Sequence, residues 1–272
     1  GANVVISNHI GQNDKSSIRH AINTVALVAL GSGVLLMLLG QIVARPILEL
    51  IDTPESVLGL AELYLRIYFC GMPFFMIFNF ASAILRSMGD TRRPLYILLA
   101  AGIVNTVFNL FFVICLNMSV AGVAVATCIA NAVSAVMIVR ILLREQEPYH
   151  LHLRQMGIQW KELKRMLQIG VPAGVQGMIF SFSNVLMQSA INGYGAAAIA
   201  GAAATLNFES YCYFVVAAFS GAAISFAGQN YGAGNNERVK RIFWMCTALA
   251  FAACLIHSVR GTGADNVAAD AG

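Results

Sequence analysis

Three polar side chains are spaced so that they can meet inside an otherwise apolar part of the chain. Asn105 and Asn109 are four residues apart, which places both amides on one face of a helix. Thr127 follows in the next apolar segment, within reach of that face. Because hard cations are bound in proteins by oxygen ligands, the spacing predicts a cation site at these three residues. The alternative is that the same groups only hydrogen-bond neighbouring helices to each other.

A second polar face is expected further along the chain. Gln176, Asn184 and Gln188 recur at multiples of four residues and therefore share one side of a helix. Pro172, just before them, should bend or loosen that helix. Polar groups inside a membrane are costly unless they face the bundle interior or water, so we interpret this face as part of a substrate-binding cleft. Hydrogen bonding between helices is again the alternative.

Glu209 is the only acidic residue well inside a predicted membrane span, and Asn207 precedes it closely. An intramembrane carboxylate is by default a candidate partner for a cation or a charged substrate. We therefore add Glu209 to the cation candidates and Asn207 to the cleft candidates. The alternative is that Glu209 lies nearer the membrane interface. Glu62 and Arg66, four residues apart, predict a local ion pair near the end of their helix.

These side chains need apolar helices to hold them, and the composition supplies such helices. Of the 272 residues, 58% are hydrophobic and only 11% are charged, whereas a soluble domain has about 25% charged residues. The uncharged runs reach the roughly 20 residues that a helix needs to cross the hydrocarbon core, and they lack the alternation of a membrane barrel. The sequence predicts an all-α polytopic membrane protein, with a helix tail at 1–12 and full spans at 20–44, 56–85, 94–116, 120–142, 166–191, 196–228 and 240–258.

The Lys and Arg residues are distributed unevenly between the connections. Four alternate loops, 13–20, 86–93, 140–165 and 230–241, hold 14 of the 17 Lys and Arg residues. By the positive-inside rule these loops are cytoplasmic, and we expect a multi-pass protein of a bacterial-type cytoplasmic (inner) membrane. In a membrane protein the placement of Lys and Arg matters more than their sum, so the net charge of +4 gives no reason to expect a nucleic acid partner.

An internal repeat is visible at an offset of 221 residues, which places Gly11 on Gly232 and Arg19 on Lys240. Both segments lie at a predicted cytoplasmic turn between helices, so the two copies have the same orientation in the membrane. Parallel repeats related by an axis along the membrane normal are typical of transporters. The second copy contains the glycines that we expect to let the backbone turn as one helix ends: Gly228, Gly232 and Gly234.

Seven segments, taken in order, resemble the multidrug and toxic compound extrusion (MATE) family. They are GANVVISNHIGQND (1–14), YLRIYFCGMPF (64–74), ILRSMGDTRRP (84–94), VNTVFNLFFV (104–113), AGVAVAT (121–127), IGVPAGVQ (169–176) and AGQNYGAGNNERVKR (227–241). The resemblance implies a fold of two pseudo-symmetric helical lobes with about twelve spans in all. This chain would then hold about seven full spans and the helix tail, which makes it a partial MATE-type fold.

The resemblance also implies a division into lobes. The N-terminal lobe would be residues 1–145, without the first helix and most of the second. A cytoplasmic loop at 146–165 would join it to a partial C-terminal lobe at 166–272. The small polar tail from about residue 258 is either a disordered terminus or a frameshifted end. We expect that this chain does not transport on its own.

The implied activity is that of a secondary antiporter, not an enzyme. Inward flow of Na⁺ or H⁺ would drive export of amphipathic, often cationic, drugs or metabolites by alternating access in a V-shaped cleft, without a cofactor. We expect the lipid bilayer and small amphipathic substrates as partners, a monomeric transporter, and no metal site beyond a Na⁺ site. In the family an Asn-xxx-Asp pair and a Thr belong to a cation site, and Asn109 stands at the Asp position. Family members often carry a Glu where this chain has Phe180.

Other function classes are less well supported by the sequence. A lipid-linked saccharide flippase of the same superfamily needs a more cationic cleft to hold pyrophosphate, whereas the spans here contain almost no Lys or Arg. An intramembrane enzyme would be indicated by HExxH, GxSxG or paired intramembrane aspartates, which the sequence lacks. A non-transporting receptor or scaffold is disfavoured only by the polar faces.

Overall fold

A computed structural model of the protein describes residues 1–51, 53–152, 156–192, 194 and 196–269. Within these ranges the chain folds into helices joined by short connections. In chain order they are α1 (Ala2–Gly11), α2 (Lys15–Leu50), α3 (Glu55–Cys70), α4 (Met72–Ser87), α5 (Arg92–Leu110), α6 (Ser119–Leu142), α7 (Trp160–Asn192), α8 (Ala196–Gly232) and α9 (Asn236–Ala269). A π-helix at Phe111–Cys115 continues α5.

Most of these helices are suited to a bilayer. In the described part of the chain, six segments are long and apolar enough to cross a membrane: Lys15–Leu50, Arg92–Cys115, Ser119–Leu142, Trp160–Gln188, Glu209–Gly232 and Asn236–Ile256. The pair α3–α4 adds a seventh if it forms a single span. The chain is therefore a multi-pass helical membrane protein, as its composition predicted.

The span predicted at 56–85 is broken into two helices. α3 and α4 meet at an angle of 46° on either side of Gly71. Pro73 lies in the first turn of α4. A proline ring has no N–H to donate and clashes with the carbonyl group four residues earlier, so a straight helix does not pass through it. The span predicted at 56–85 is thus made of two helices, α3 and α4, which together are long and apolar enough for one crossing.

Several helix ends also differ from the predicted spans. α2 begins at Lys15 and continues to Leu50, with Pro46 inside its final turns. α9 continues to Ala269, so the polar tail expected from about residue 258 is helical that far. At the predicted loops 13–20, 86–93 and 230–241 the connections are short, because the following helix begins inside each predicted loop. Most of the Lys and Arg residues of these loops therefore lie in the first two turns of that helix.

Residues 14–164, together with Ala2, form one compact unit that contains α2 to α6. In it, α2 packs against α3 and α4, while α6 packs against α3, α4 and α5. Gly40 allows α2 and α3 to approach closely, because a Cβ there would lie 2.0 Å from the ring of Phe69. The core of this unit includes fully buried aliphatic side chains: Ile22, Val25, Ile84, Leu85, Ile97, Ile138 and Leu142.

The other compact unit consists of residues 3–13 and 165–272, together with Gly1. It therefore places α1 with α8 and α9, whereas the lobes predicted from the sequence place residues 1–145 together. The physical reason is that α1 packs directly against α8, where Asn3 donates a 3.0 Å hydrogen bond to the hydroxyl of Ser225. The division into lobes at 146–165 stays a prediction.

The turn from α1 to α2 has the same geometry as the turn from α8 to α9, at the predicted offset of 221. Asn13 and Gly234 are the residues with positive φ, 55° and 74°. The next residue of each turn, Asp14 or Asn235, caps the following helix by accepting a 3.1 Å hydrogen bond from the backbone N–H three residues later. The repeat is therefore present in the structure, as a left-handed residue followed by an N-cap.

The contacts between α1 and α8 occur in pairs, in which residues related by the offset of 221 change places. A Cβ on Gly11 would lie 1.8 Å from the backbone oxygen of Gln229, and a Cβ on Gly232 would lie 2.1 Å from that of Asn8. Gly11 is equivalent to Gly232, and Asn8 is equivalent to Gln229, so each contact is the counterpart of the other. Reciprocal contacts of this kind define a two-fold interface. A pseudo-two-fold axis therefore passes between α1 and α8.

These contacts correct the role expected for two of the turn glycines. Gly228 lies inside α8 and Gly232 is the last residue of α8, so neither belongs to the turn that follows. A Cβ on Gly228 would lie 2.8 Å from the Cβ of Ser7, its own equivalent in α1. Both glycines therefore permit the close approach of two helices, and the backbone reversal is made at Gly234, where φ is positive.

Candidate functional site

The side chains of Asn105, Asn109 and Thr127 meet in the structure, as their spacing required. The Asn109 amide nitrogen donates to the Asn105 side-chain oxygen at 2.9 Å, and the Asn105 amide nitrogen donates to the Thr127 hydroxyl at 3.3 Å. The Thr127 hydroxyl in turn donates to the backbone oxygen of Val123 at 3.0 Å. The three side chains therefore form a directional chain of hydrogen bonds between α5 and α6. Their role as cation ligands stays a prediction.

One oxygen of this trio is left without a partner. The side-chain oxygen of Asn109 is buried and accepts no hydrogen bond from the described residues. Leaving such an acceptor unsatisfied costs about 1–3 kcal/mol, so a donor or a cation bound there would be stabilised. The π-helix begins at Phe111, two residues later. Single π-turns inside α-helices are frequent at functional sites.

A cavity of about 390 Å³ lies between α4, α5 and α6, and Asn105 and Thr127 line it. We call it the α4–α5–α6 cavity. Its lining includes a polar row on α4 that the sequence reasoning missed: Asn79, Ser82 and Arg86. Their spacing of three and then four residues places them on one helix face, which was the available signal. In the sequence, Arg86 stands next to the turn and therefore looks like one of the cytoplasmic loop charges.

The predicted cleft residues of α7 share one face, where Gln176 is exposed and Asn184 and Gln188 are half-buried. Pro172 lies inside α7, which continues through it from Trp160 to Asn192. Phe180 is on the same face and stacks on Tyr213 of α8, with ring centroids 6.2 Å apart and planes 13° apart. An aromatic pair therefore occupies the position where family members often carry a Glu. The face stays a predicted cleft wall.

Glu209 lies on α8, one helical turn before Tyr213, and its side chain is exposed. It belongs to the compact unit of residues 165–272, while the Asn105–Asn109–Thr127 trio belongs to the unit of residues 14–164. The cation candidates thus fall into two separate groups. The side chain of Asn207 lies outside the part of the chain that the structure describes.

Charged side chains form ion pairs within α3 and around the loop after α4. The predicted pair of Glu62 and Arg66 is confirmed, with a nitrogen–oxygen distance of 2.7 Å. After α4, Arg93 forms ion pairs with both Asp90 and Glu145. Partial burial alone would raise the pKa of the Asp90 carboxyl, but hydrogen bonds and the charge of Arg93 hold that pKa below its usual value.

A sequence model of the MatE family matches residues 1–111 and 172–262, well over half of the chain. The chain belongs to the MatE family. Asn105 and Asn109 lie inside the first matched stretch of MatE, and so do the polar row on α4 and the turn after α1. The second stretch includes Gln176, Glu209 and the turn between α8 and α9.

Relatives of this MatE chain carry names that refer to transport or drug resistance. It is 30% identical to the probable multidrug resistance protein YpnP of Bacillus subtilis over 86% of this chain and 52% of the relative. It is 28% identical to the probable multidrug resistance protein NorM of Thermotoga maritima, over 88% of this chain and 52% of the relative. An FAD transporter of Shewanella oneidensis is 27% identical over 75% of this chain and 46% of the relative. The chain thus spans about half the length of the curated relatives it matches.

Solved MATE structures have the same fold. A MATE structure in the bent conformation superimposes with a TM-score of 0.82 at 21% identity, covering 92% of this chain and 56% of the other. The outward-facing conformation of a multidrug resistance MATE family transporter gives a TM-score of 0.82 at 20% identity, and the match covers 97% of this chain and 58% of the other. The predicted MATE-type fold, present in part, is confirmed.

Proposed function

We propose that the protein is a secondary antiporter that exports amphipathic or cationic drugs or metabolites in exchange for Na⁺ or H⁺. The observation that carries the proposal is the buried oxygen of Asn109, which accepts no hydrogen bond from any residue that the structure describes. It lies at the end of the Asn105–Thr127 hydrogen bonds in a MatE chain. Two relatives are named as probable multidrug resistance proteins, which supports a drug-like substrate.

The chemistry of the trio favours Na⁺ over H⁺ at this position. Asn105, Asn109 and Thr127 offer neutral oxygens, which can coordinate Na⁺ when they turn towards it. None of the three side chains titrates near neutral pH, so the trio cannot carry a proton. Coupling to H⁺ would need a carboxylate elsewhere, and Glu209 is the candidate in this chain. The Asn109 oxygen can meet Na⁺ without the loss of a hydrogen bond, whereas the Asn105 oxygen already accepts one from Asn109.

The proposed transport cycle is alternating access without a cofactor. A cation that binds more tightly in one conformation of the two lobes shifts the equilibrium towards that conformation, and the substrate is released there. The lobes would be residues 1–145 and 166–272, with the basic loops at 13–20, 86–93, 140–165 and 230–241 in the cytoplasm. We propose a monomer in a bacterial-type cytoplasmic membrane, whose partners are the lipid bilayer and its small substrates. Gln176, Asn184, Gln188 and Asn207 would form part of the substrate-binding cleft.

A lipid-linked saccharide flippase is the second candidate, and one observation favours it. Arg86 lines the α4–α5–α6 cavity, and a cationic lining is what recognition of a pyrophosphate needs. It is the only charged residue among those that line this cavity in the described structure. A single guanidinium is a weak match for a pyrophosphate, so drug export remains the better supported proposal.

Uptake of ethidium, a lipophilic cation, into everted membrane vesicles tests the proposal on the full-length protein, because export from the cytoplasm appears there as inward movement. A Na⁺ or pH gradient should drive ethidium movement, and Asn109→Leu should lower the Na⁺-driven rate at least tenfold. Thr106→Val is the matched control, since this exposed side chain donates only within its own helix, to the Gly102 oxygen at 3.0 Å. Absence of any gradient-driven movement of ethidium or of other amphipathic cations would overturn the proposal.

A further inference from the structure

Arg86 is a cation without a counter-ion in the lining of the α4–α5–α6 cavity. It lies in the last turn of α4 and is accessible at the surface of the cavity. It forms no hydrogen bond or ion pair with the residues that the structure describes, because the nearby acids Asp90 and Glu145 are both paired with Arg93. A guanidinium has five N–H donors and no acceptor, so Arg86 presents an unused positive donor group to the cavity.

A second group in the same cavity also lacks a partner. Ser82 lies one turn before Arg86 on α4 and is only 2% exposed. Its hydroxyl has no hydrogen-bond partner in the described part of the chain. Hydroxyls buried to this extent are nearly always hydrogen-bonded, so an unsatisfied one next to an unpaired guanidinium needs an explanation. The side-chain amide of Asn131, on α6, lines the cavity as well.

The three groups share one kind of chemistry, since guanidinium, hydroxyl and amide can all donate hydrogen bonds. Arg binds phosphates and carboxylates with paired, charge-assisted hydrogen bonds that are stronger than neutral ones. A cation would instead be repelled by Arg86. We propose that Arg86, Ser82 and Asn131 bind an oxyanion, a phosphate or carboxylate group, at the end of the cavity away from Asn105.

This end of the cavity is defined by the order of its lining residues. The lining runs along α5 from Asn105 to Pro94 and along α6 from Thr127 to Ser134, and Arg86 is the last lining residue of α4. The cavity volume of about 390 Å³ is in the range of small-molecule sites. The oxyanion can therefore belong to a larger molecule. This inference does not depend on which substrate is exported or on the coupling ion.

Two sources supply an oxyanion at this place. One is an anionic solute that enters the cavity, and the other is the phosphate of a phospholipid headgroup. The loop after Arg86 is predicted to be cytoplasmic, and the cytoplasmic leaflet is rich in anionic lipids. The two sources make the same hydrogen bonds but differ in solubility, so they can be separated by experiment.

The solute is tested by isothermal titration calorimetry of the full-length protein, delipidated in detergent, with potassium pyrophosphate and potassium citrate at constant ionic strength. At least one anion should bind, and Arg86→Gln should weaken that binding at least tenfold. Ser82→Ala should weaken it severalfold without any change of charge. Arg92→Gln is the matched control, because it removes the same charge from an exposed arginine six residues away and should leave the affinity unchanged.

The lipid is tested in nanodiscs of phosphatidylglycerol and phosphatidylcholine, with retained lipid counted by native mass spectrometry. Loss of retained phosphatidylglycerol in Arg86→Gln, with no binding of either soluble anion, identifies the headgroup as the ligand. The proposal is overturned if Arg86→Gln and Arg92→Gln have equal affinities for both anions and retain equal amounts of phosphatidylglycerol. Melting temperatures measured without ligand establish that each variant is folded.

Discussion

The contact between α1 and α8 is set by glycines, and replacing them should have a measurable cost. In Gly11→Ala the new Cβ would lie 1.8 Å from the Gln229 backbone oxygen, and in Gly232→Ala it would lie 2.1 Å from that of Asn8. Real Cβ atoms essentially never come closer than 3.0 Å to another heavy atom. The helices must therefore move apart by roughly 1 Å, since backbone atoms, unlike the end of a flexible side chain, cannot turn away.

Overpacking of this kind costs about 1–3 kcal/mol, and we expect the upper part of that range because the clash is with backbone. Alanine is the better helix former by about 1 kcal/mol, which offsets part of the cost. The net loss is then about 2 kcal/mol for each variant, or a fall of roughly 4–8 °C in melting temperature. The fall is measured by thermal unfolding in detergent. The double variant should cost less than the sum, because helices already separated accommodate the second Cβ.

Gly221→Ala in α8 is the matched control. A Cβ on Gly221 would meet no heavy atom within 4 Å, so this variant should be neutral or more stable by about 1 kcal/mol. If Gly11→Ala and Gly232→Ala melt at the same temperature as Gly221→Ala, the close contact of α1 and α8 does not exist as described. Strictly additive losses would show that the two glycines do not share an interface.

Three further predictions concern the trio, the loop after α4 and the aromatic pair. Thr127→Val removes the acceptor of the Asn105 amide, which should lower the free energy of unfolding by about 1–3 kcal/mol. It should also abolish the higher melting temperature that a Na⁺ site would give in NaCl compared with KCl; a rise equal to that of wild type would contradict the cation site. Asp90→Asn should lower the melting temperature at pH 7. The difference from wild type should vanish as the pH falls below the usual Asp pKa of 3.8 and through the lowered pKa of Asp90; a difference that persists in acid would show that the carboxylate charge is not the cause. Phe180→Leu should cost about 0.5–1.5 kcal/mol through loss of stacking on Tyr213, whereas Phe182→Leu, at a 65% exposed position, should cost less. Equal melting temperatures for these two variants would argue against the stacked pair.

Features that depend on neighbouring residues could be predicted from the sequence. The turns repeat because a left-handed residue and an N-cap are local requirements, met by Asn13 and Asp14 in one copy and by Gly234 and Asn235 in the other. The contact of the trio could be predicted because Asn105 and Asn109 share a helix face and Thr127 lies on the next helix. Long apolar runs similarly predicted the membrane spans.

Features that depend on which helix faces which could not be predicted from the sequence. Gly228 and Gly232 look like turn residues because they stand next to Gly234, and only the packing of α1 shows that they permit helix contact. In the sequence, Arg86 is only one of the basic residues next to a predicted cytoplasmic turn. Its place in the cavity lining depends on how α5 and α6 pack against α4. The pattern of one helix contains no information about the surface packed against it.

Exchange of ions for substrate is the central claim, and countertransport in proteoliposomes tests it most directly. Liposomes that contain the full-length protein and trapped ethidium are diluted into medium with ²²Na⁺, or with a pH indicator, in the absence of other gradients. We predict that ethidium leaving the liposomes drives ²²Na⁺ or H⁺ inwards, and that Asn109→Leu loses the Na⁺ movement while Thr106→Val retains it. Ethidium movement without any opposite flow of either ion would contradict antiport.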